Sequence, residues 1–332
     1  MNATGRIETL DLMKGLVILL VVMQHLDIVP NAHESRLAAV YLCFNMPMFF
    51  FVSGMFLPVG RTTGSMLWHS ARRLLVPWLF FAVAGGLIVD VLVNGNYYVL
   101  GSPRRMFHWF AYGPNVPLYF LRALFLSTVG CFFAARAAAG LRRQLVVLAL
   151  LVALSAVAFR VAPHVASLPG PVKGMVRLLA LPEAMAMSMY LWLGHMAASN
   201  TNMRDARAGR LAGACIMAAA LGAALLTGWN AMRWHTVWHL GSWGGITACA
   251  VCGIAAVWGA ALMLRGCRPL ALAGRYSLAI MCSHYVLIYA LTGLLAVEER
   301  NSVWPLVLLL FAPLAWACVR FLPWALGMRK NR

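Results

Sequence analysis

The sequence contains a series of apolar runs, each close to twenty residues long, and no other feature limits the possible folds as strongly. A helix of about 20 apolar residues is long enough to cross the hydrocarbon core of a bilayer. Ten runs qualify, and they cover approximately residues 9–28, 38–57, 74–93, 116–135, 144–162, 178–198, 211–227, 242–264, 272–295 and 303–325. Because 62% of the 332 residues are hydrophobic and only 11% are charged, a soluble enzyme is excluded. We therefore predict an all-α, polytopic integral membrane protein with about ten transmembrane helices, in a single domain over residues 1–332.

The basic residues give this bundle an orientation. Lys and Arg number 27 against nine acidic residues, and the cytoplasmic loops of membrane proteins are normally enriched in Lys and Arg. Sixteen of these basic residues lie on the side of the membrane that holds the N-terminus, in the termini and in every second loop. Eight lie in the loops on the other side, and three lie within helices. We therefore expect both termini to be cytoplasmic. The net charge is interpreted as topology rather than as a nucleic-acid interface.

The first apolar run carries more polar groups than membrane helices usually contain. The stretch "ETLDLMKGLVILLVVMQH" includes Glu8, Asp11, Lys14 and His25, and such groups are costly in hydrocarbon. Eleven residues turn a helix by about three full circles and raise it by about 16 Å, so Lys14 and His25 share one face at different depths. Either these groups carry out chemistry, or Asp11 and Lys14 neutralise each other while His25 caps the outer end.

Three of the ionisable residues inside later apolar runs are candidates for a functional site. With this topology, Arg122 and Glu183 belong to the outer half of the bundle, as does His25, and His284 lies near the middle. An imidazole can transfer a proton near neutral pH, whereas an Arg and a Glu can simply neutralise each other between helices. A catalytic cluster with His25 and a structural ion pair are both compatible with this pattern.

Several sequence blocks occur in an order that is found in a known family: "RIETLDLMKGLVILLVVMQHL", "FNMPMFFFVSGMFLP", "RRLLVPW", "LYFLRALF" and "GRYSLAIMCSH". They extend from Arg6 to about His284. In these blocks the chain resembles the acyltransferase family 3 membrane proteins, which include O-acetyltransferases of bacterial cell-surface polysaccharides. A basic residue and a histidine separated by ten positions form the catalytic motif of that family, and here the motif falls on Lys14 and His25.

The resemblance implies an activity and a location. Family members are similar in having ten core membrane helices, in using cytosolic acyl-CoA, usually acetyl-CoA, and in esterifying sugar hydroxyls. It implies an O-acyltransferase of the bacterial cytoplasmic (inner) membrane. The expected partners are acyl-CoA, a glycan or lipid-linked sugar acceptor and membrane lipids, with no metal and no nucleic acid. The chain differs from the common pattern at Asn45, Tyr119 and Met281, where the family often has His, Trp and Tyr.

Acyl transfer from a thioester to a hydroxyl needs a base and groups that stabilise the developing oxyanion. His25 is the expected base, because an apolar environment favours the neutral, proton-accepting imidazole. A carboxylate, Glu183 or Asp27, would fix its tautomer. The candidate donors to the thioester oxygen or to the sugar are Arg122, Asn45, Ser53 and His284. Ser53 is also compatible with close helix packing or with an acyl-serine intermediate.

CoA is large and anionic, so basic residues at the cytoplasmic end are candidates for binding its phosphates. The residues expected in this role are Lys14, held in place by Asp11, and Arg72, Arg73 and Arg275. Orientation of the chain by positive loops explains the three arginines equally well.

Two other classes of protein would contain the same polar groups. A transporter or flippase of a lipid-linked or small anionic substrate would line its path with Lys14, Arg122 and Glu183, although no internal repeat typical of transporters is found. In a non-catalytic scaffold, the shared face of Lys14 and His25 would be accidental. Release of free thiol from acetyl-CoA, with and without a glycan acceptor, distinguishes an enzyme from both.

Overall fold

The computed structural model describes residues 7–28, 36–93, 95, 101–103, 105, 118–200, 209–231, 243–297 and 299–328. Within these ranges the chain folds into helices without any β-strand, which confirms the all-α prediction. The α-helices in chain order are α1 (Glu8–His25), α2 (Arg36–Gly54), α3 (Thr63–Gly86), α4 (Tyr119–Ala137), α5 (Leu141–Val161), α6 (Gly170–Leu179), α7 (Leu181–Asn200), α8 (Arg210–Ala231), α9 (Trp243–Met263), α10 (Arg268–Arg275), α11 (Ser277–Leu294) and α12 (Trp304–Phe321).

Each predicted apolar run falls on a helix of this fold. Seven helical segments in the described ranges are long and apolar enough to cross a membrane: Thr63–Val89, Tyr119–Ala137, Leu141–Ser167, Gly170–Asn200, Trp243–Met263, Ser277–Leu294 and Arg300–Phe321. The other three runs coincide with α1, which carries three charged residues, and with α2 and α8. Leucines on the outside of the bundle, such as Leu150 and Leu309, are 65% and 70% exposed. They form an apolar surface suited to lipid, as expected of a polytopic membrane protein.

The largest difference from the predicted boundaries is in α3. It begins at Thr63 instead of near residue 74. The hydroxyl of Thr62 caps the first turn, because its Oγ1 accepts a hydrogen bond from the backbone N–H of Ser65 at 3.4 Å. At its other end α3 continues into a π-helix, Leu87–Val93, which packs against α11. Two short helices, α6 and α10, also precede α7 and α11. The predicted run 272–295 crosses the break between α10 and α11, whereas most of α6 lies before the predicted run 178–198.

Glycines allow the helices to approach closely. Gly54 of α2 lies against the carbonyl of Leu191 in α7, and Gly194 of α7 lies against the carbonyl of Phe51 in α2. A Cβ at either glycine would overlap backbone atoms. Small residues are the usual means of packing helices in a membrane, where burial of apolar surface gives no driving force. Helix α7 thus packs on α2, α4 and α5, whereas α1 packs on α2, α9, α10 and α11. Helix α1 is therefore in contact with four other helices.

Candidate functional site

An ion pair lies at the N-terminal half of α1. The Nζ of Lys14 donates a hydrogen bond to Oδ1 of Asp11 at 2.6 Å, and the two side chains are only 24% and 15% exposed. Glu8 contacts a different partner, since its Oε1 accepts a hydrogen bond from the backbone N–H of Gly266 at 2.8 Å. The pairing that the i,i+3 spacing predicts is therefore present. It holds the ammonium group of Lys14 in a partly buried position.

The short helix α10 lies directly against this half of α1. A Cβ on Gly15 would overlap the carbonyl of Leu270, and a Cβ on Gly274 would overlap the carbonyl of Asp11. The two backbones are thus in contact at the same level as the ion pair. Arg275 directly follows Gly274, so this contact fixes the start of its side chain relative to α1. Its guanidinium lies 5.9 Å from the ring centre of Tyr276.

The other end of α1 brings two imidazoles together. The ring centres of His25 and of His284 in α11 are 5.0 Å apart, with ring planes at 46°. His284 is completely buried, and the rings of His25 and Tyr285 form a T-shaped pair with their centres 5.8 Å apart. The structure therefore joins two residues that the sequence proposed separately.

Hydrogen bonds determine the tautomer of His284. Its Nδ1 lies 3.0 Å from the carbonyl oxygen of Ile280 and 2.9 Å from that of Met281. Because carbonyl oxygens only accept, Nδ1 carries the hydrogen and Nε2 of the neutral ring is an acceptor. This Nε2 is buried and has no hydrogen-bond partner within the described part of the chain. The neutral ring thus offers an acceptor to the site, in place of the donor that we expected from the sequence.

Helix α1 ends in a left-handed turn at Asp27, whose φ is 53°. The backbone N–H groups of Asp27 and Ile28 donate to carbonyls in the last turn of α1, each at 3.0 Å, in the Schellman arrangement where glycine is the usual residue. The carboxylate pairs with Arg300, whose Nε lies 2.9 Å from Oδ2 of Asp27. One of the two acids proposed to fix the tautomer of His25 is therefore bound to an arginine.

Arg122 and Glu183 form a separate polar cluster. The Nη1 of Arg122 donates to the carbonyl of Leu178 at 2.6 Å, at the C-terminal end of α6, where a cation is favourable. Its guanidinium lies 5.2 Å from the ring centre of Trp78, and its charge interacts with that of Glu183. In the ranges that the structure describes, neither residue makes a hydrogen bond to His25. Of the two alternatives that the sequence left open, a catalytic cluster with His25 therefore has no hydrogen bond to support it among the described residues.

The two polar candidates of α2 lie in a tightly packed helix. Asn45 is buried, and its Oδ1 accepts a hydrogen bond from the backbone N–H of Met46 at 2.6 Å. Ser53 is half-buried and directly precedes Gly54, at the contact of α2 with α7. Close packing is therefore the role that the structure itself gives to the segment around Ser53.

A basic cavity of about 740 Å³ lies at the start of α3. It is lined by Arg61, Ser65, Trp68, His69, Arg72, Arg73, Gly327 and Met328. The Nη2 of Arg72 donates to the carbonyl of Met328 at 2.7 Å, so the segment after α12 forms one wall. The indole of Trp68 is 69% exposed. Arginines beside an exposed aromatic ring can bind an anionic ligand that also contains a flat ring.

Sequence analysis missed several residues of these sites. It named Arg72 and Arg73 but not Trp68, and it gave no role to Arg300. Tyr285 and Tyr289 were also overlooked, although their spacing of four places them on one face of α11 directly after His284. That spacing was the available signal for an aromatic surface beside the imidazole.

Comparison with known proteins gives one clear result. The family model described as "Acyltransferase domain" matches residues 7–320, which includes every helix described above except the last residue of α12. No curated protein and no solved structure matches the chain.

Proposed function

Since this chain belongs to the acyltransferase domain family, we propose that it transfers an acyl group, in the simplest case acetyl, from cytosolic acyl-CoA to a hydroxyl of a cell-surface or exported sugar. Membership of the family supports acyl transfer in general and favours it over transport. The donor, the acceptor, the residue roles and a location in the bacterial cytoplasmic membrane belong to the proposal. The observation that carries the proposal is the contact between His25 and His284. His25 lies on α1, the helix that also contains the Lys14–Asp11 pair.

His25 acts as the general base in this reaction. It removes the proton of the acceptor hydroxyl while the hydroxyl oxygen attacks the thioester carbonyl. The new C–O bond forms, the C–S bond breaks, and the imidazolium returns its proton to the CoA thiolate. The contact of His25 with His284 supports this role, because the buried Nε2 of His284 is an acceptor that can hold an N–H of His25.

His284 is the positioning residue for His25. A hydrogen bond from one N–H of His25 to Nε2 of His284 would leave the other nitrogen of His25 as the base. A carboxylate has this role in the Ser-His-Asp triad. One observation favours an imidazole here: the carboxylate of Asp27 is paired with Arg300.

The oxyanion needs hydrogen-bond donors. The side-chain carbonyl of Asn45 is engaged by its own backbone, so its amide N–H groups are the donors that we assign to the thioester oxygen. Ser53 is assigned to packing and to the edge of the substrate path. Arg122 and Glu183 support the acceptor side by fixing the junction of α6 and α7, since Arg122 bonds to the end of α6 and Glu183 lies in the first turn of α7.

The acyl-CoA donor binds at the opposite end of α1. Its phosphates bind in the cavity that contains Arg72 and Arg73, with Arg275 and the Lys14–Asp11 pair beside α10. CoA carries its phosphates and its thioester at opposite ends of an extended arm. The helical rise of about 16 Å between Lys14 and His25 matches an arm that runs along α1. The acyl group then crosses the membrane barrier while CoA stays in the cytoplasm.

The direct test is thiol release by the purified protein in sealed vesicles. With acetyl-CoA on the side of Arg72 and a mixture of bacterial glycans on the other side, we expect free CoA to form together with an acetyl ester on the glycan. A transporter or a scaffold would release no thiol, and that result would rule out the proposed function.

A further inference from the structure

Beside the C-terminal end of α1, which carries His25, lies a row of aromatic and charged side chains formed by Tyr285, Tyr289, Arg300 and Asp27. The rings of Tyr285 and Tyr289 are stacked with their centres 4.3 Å apart and their planes at 36°. Tyr285 in turn meets His25 edge-on. Both tyrosines are half-buried, so part of each ring is accessible. An aromatic surface thus begins at the base that we propose and extends one turn along α11.

The same row ends in the ion pair of Asp27 and Arg300. The Nη1 of Arg300 donates to the hydroxyl of Tyr289 at 3.3 Å, and its guanidinium lies 5.6 Å from the centre of that ring. The side chains of Arg300 and Asp27 are 35% and 49% exposed. A carboxylate has about four lone-pair sites and a guanidinium has five N–H groups, so both can bind further polar groups from solvent or from a ligand.

The position of Asp27 suggests that its carboxylate is needed for more than the fold. Its backbone occupies the left-handed conformation that ends α1, where glycine avoids the steric cost of a side chain. An aspartate at this site places a carboxylate two residues beyond His25, the last residue of α1, and 2.9 Å from the Nε of Arg300. A glycine would complete the turn but would leave this region without an acceptor.

We propose that Tyr285, Tyr289, Asp27 and Arg300 form the acceptor subsite and bind one neutral pyranose ring of the acceptor glycan. This inference rests on the proposed function and specifies the substrate for it. A pyranose has apolar C–H faces and a rim of hydroxyls. The tyrosine rings contact the C–H face, Asp27 accepts from a hydroxyl, and Arg300 donates to another. The charges of Asp27 and Arg300 balance each other, which suits a sugar without a carboxylate or phosphate.

This arrangement also explains how one hydroxyl reaches the base. A ring held on Tyr285 lies beside His25, because the ring centres of His25 and Tyr285 are only 5.8 Å apart. Hydroxyls on the side of the ring nearest to α1 then point toward the two imidazoles, whereas those on the far side bind the ion pair. The subsite therefore determines which hydroxyl is acylated.

The test is saturation-transfer NMR on the full-length protein in lipid nanodiscs, without any glycoside detergent. The probes are methyl α-D-glucopyranoside, methyl α-D-mannopyranoside and methyl α-D-galactopyranoside. We expect at least one of them to receive saturation at its ring C–H protons. Tyr289→Leu should weaken its binding by about tenfold through loss of the aromatic face. Asp27→Asn should weaken it by about tenfold through loss of a charged acceptor.

Asp27→Asn guards against a folding artefact, because Asn is also tolerated in the left-handed conformation. The matched control is Trp316→Leu, which removes a 55% exposed aromatic side chain on α12 and should leave glycoside binding unchanged. If none of the three glycosides binds the wild-type protein, or if both variants bind them as the wild-type protein does, the subsite proposal is overturned. Calorimetry with acetyl-CoA separates the two proposals: donor binding without glycoside binding contradicts the subsite alone, whereas glycoside binding without donor binding contradicts the proposed acyl donor.

Discussion

The imidazole rings of His25 and His284 lie 5.0 Å apart at the point where α1 crosses α11. Nδ1 of His284 is hydrogen-bonded to carbonyls of its own helix. Only Nε2 is therefore left to bind another polar group, and it can act only as an acceptor. The pair therefore resembles a base with its orienting group, with an imidazole in the place usually taken by a carboxylate. The predictions below follow from this relationship and from the contacts that hold α1.

Replacement of His284 tests the orienting role. We expect His284→Leu to lower the rate of thiol release from acetyl-CoA by about 10²–10⁴-fold, since His25 then lacks the acceptor that selects its tautomer. His284→Gln should recover part of that rate, because the side-chain carbonyl of Gln can accept a hydrogen bond. The Kd for acetyl-CoA, measured by calorimetry, should be the same for both variants. Equal rates for the Leu variant and the wild-type protein would contradict the role.

Lys14 is expected to act on the donor. Lys14→Ala should weaken acetyl-CoA binding by about tenfold, because a partly buried charge-assisted contact is lost. Lys14→Arg keeps the charge and should bind the donor nearly as well as the wild-type protein. Asp11→Asn should have a smaller effect in the same direction, because it releases the ammonium group without removing it. Calorimetry gives the three affinities, and full donor affinity in Lys14→Ala would show that the ion pair is only structural.

The packing of α10 against α1 should be destabilised by a single added methyl group. Gly274→Ala places a Cβ against the carbonyl of Asp11, so we expect a loss of stability of about 1–3 kcal/mol from overpacking. Gly130→Ala in α4 is the matched control, because its Cβ would meet no neighbouring atom within 4 Å. Thermal unfolding in nanodiscs should show a lower midpoint for Gly274→Ala and no decrease for Gly130→Ala. The account of this contact fails if the two variants unfold alike.

The orientation in the membrane can be tested at two loops. In a cysteine-free background, Ala139→Cys between α4 and α5 should react with a membrane-impermeant maleimide only after the cells are permeabilised. Ser167→Cys, before α6, should react in intact cells. The reason is the concentration of basic residues in alternate loops, which favours their retention in the cytoplasm. Labelling of both cysteines from the same side would contradict the ten-helix topology.

Local sequence features predicted much of the fold. The length of each apolar run depends only on neighbouring residues, and so does the i,i+3 pairing of Asp11 with Lys14, so both could be read from the chain. The early start of α3 was missed because its first turns are polar and depend on the cap at Thr62. The break between α10 and α11 was missed because "ALAGRYSLAI" has apolar residues on both sides of Arg275 and contains no proline.

Contacts between distant helices were much harder to predict. The depths of His25, Arg122 and Glu183 are compatible with one cluster, but depth does not say which faces meet. Backbone contacts at Gly15 and Gly274 determine how α1 lies beside α10 and hence near α11. Arg122 is instead drawn to the end of α6 by the carbonyls exposed there. These choices depend on helix packing, which the apolar pattern of one chain does not specify.

The central claim is that His25 carries out the chemistry while the other end of α1 binds the donor. The most direct measurement compares His25→Ala with the wild-type protein in two assays, acetyl-CoA calorimetry and thiol release in the presence of the glycan acceptor. The account predicts a donor Kd within about twofold of the wild-type value and a turnover lower by about 10²–10⁴-fold, because only the base is lost. A folded His25→Ala protein that transfers acyl groups at the wild-type rate, or one that fails to bind acetyl-CoA, would contradict it.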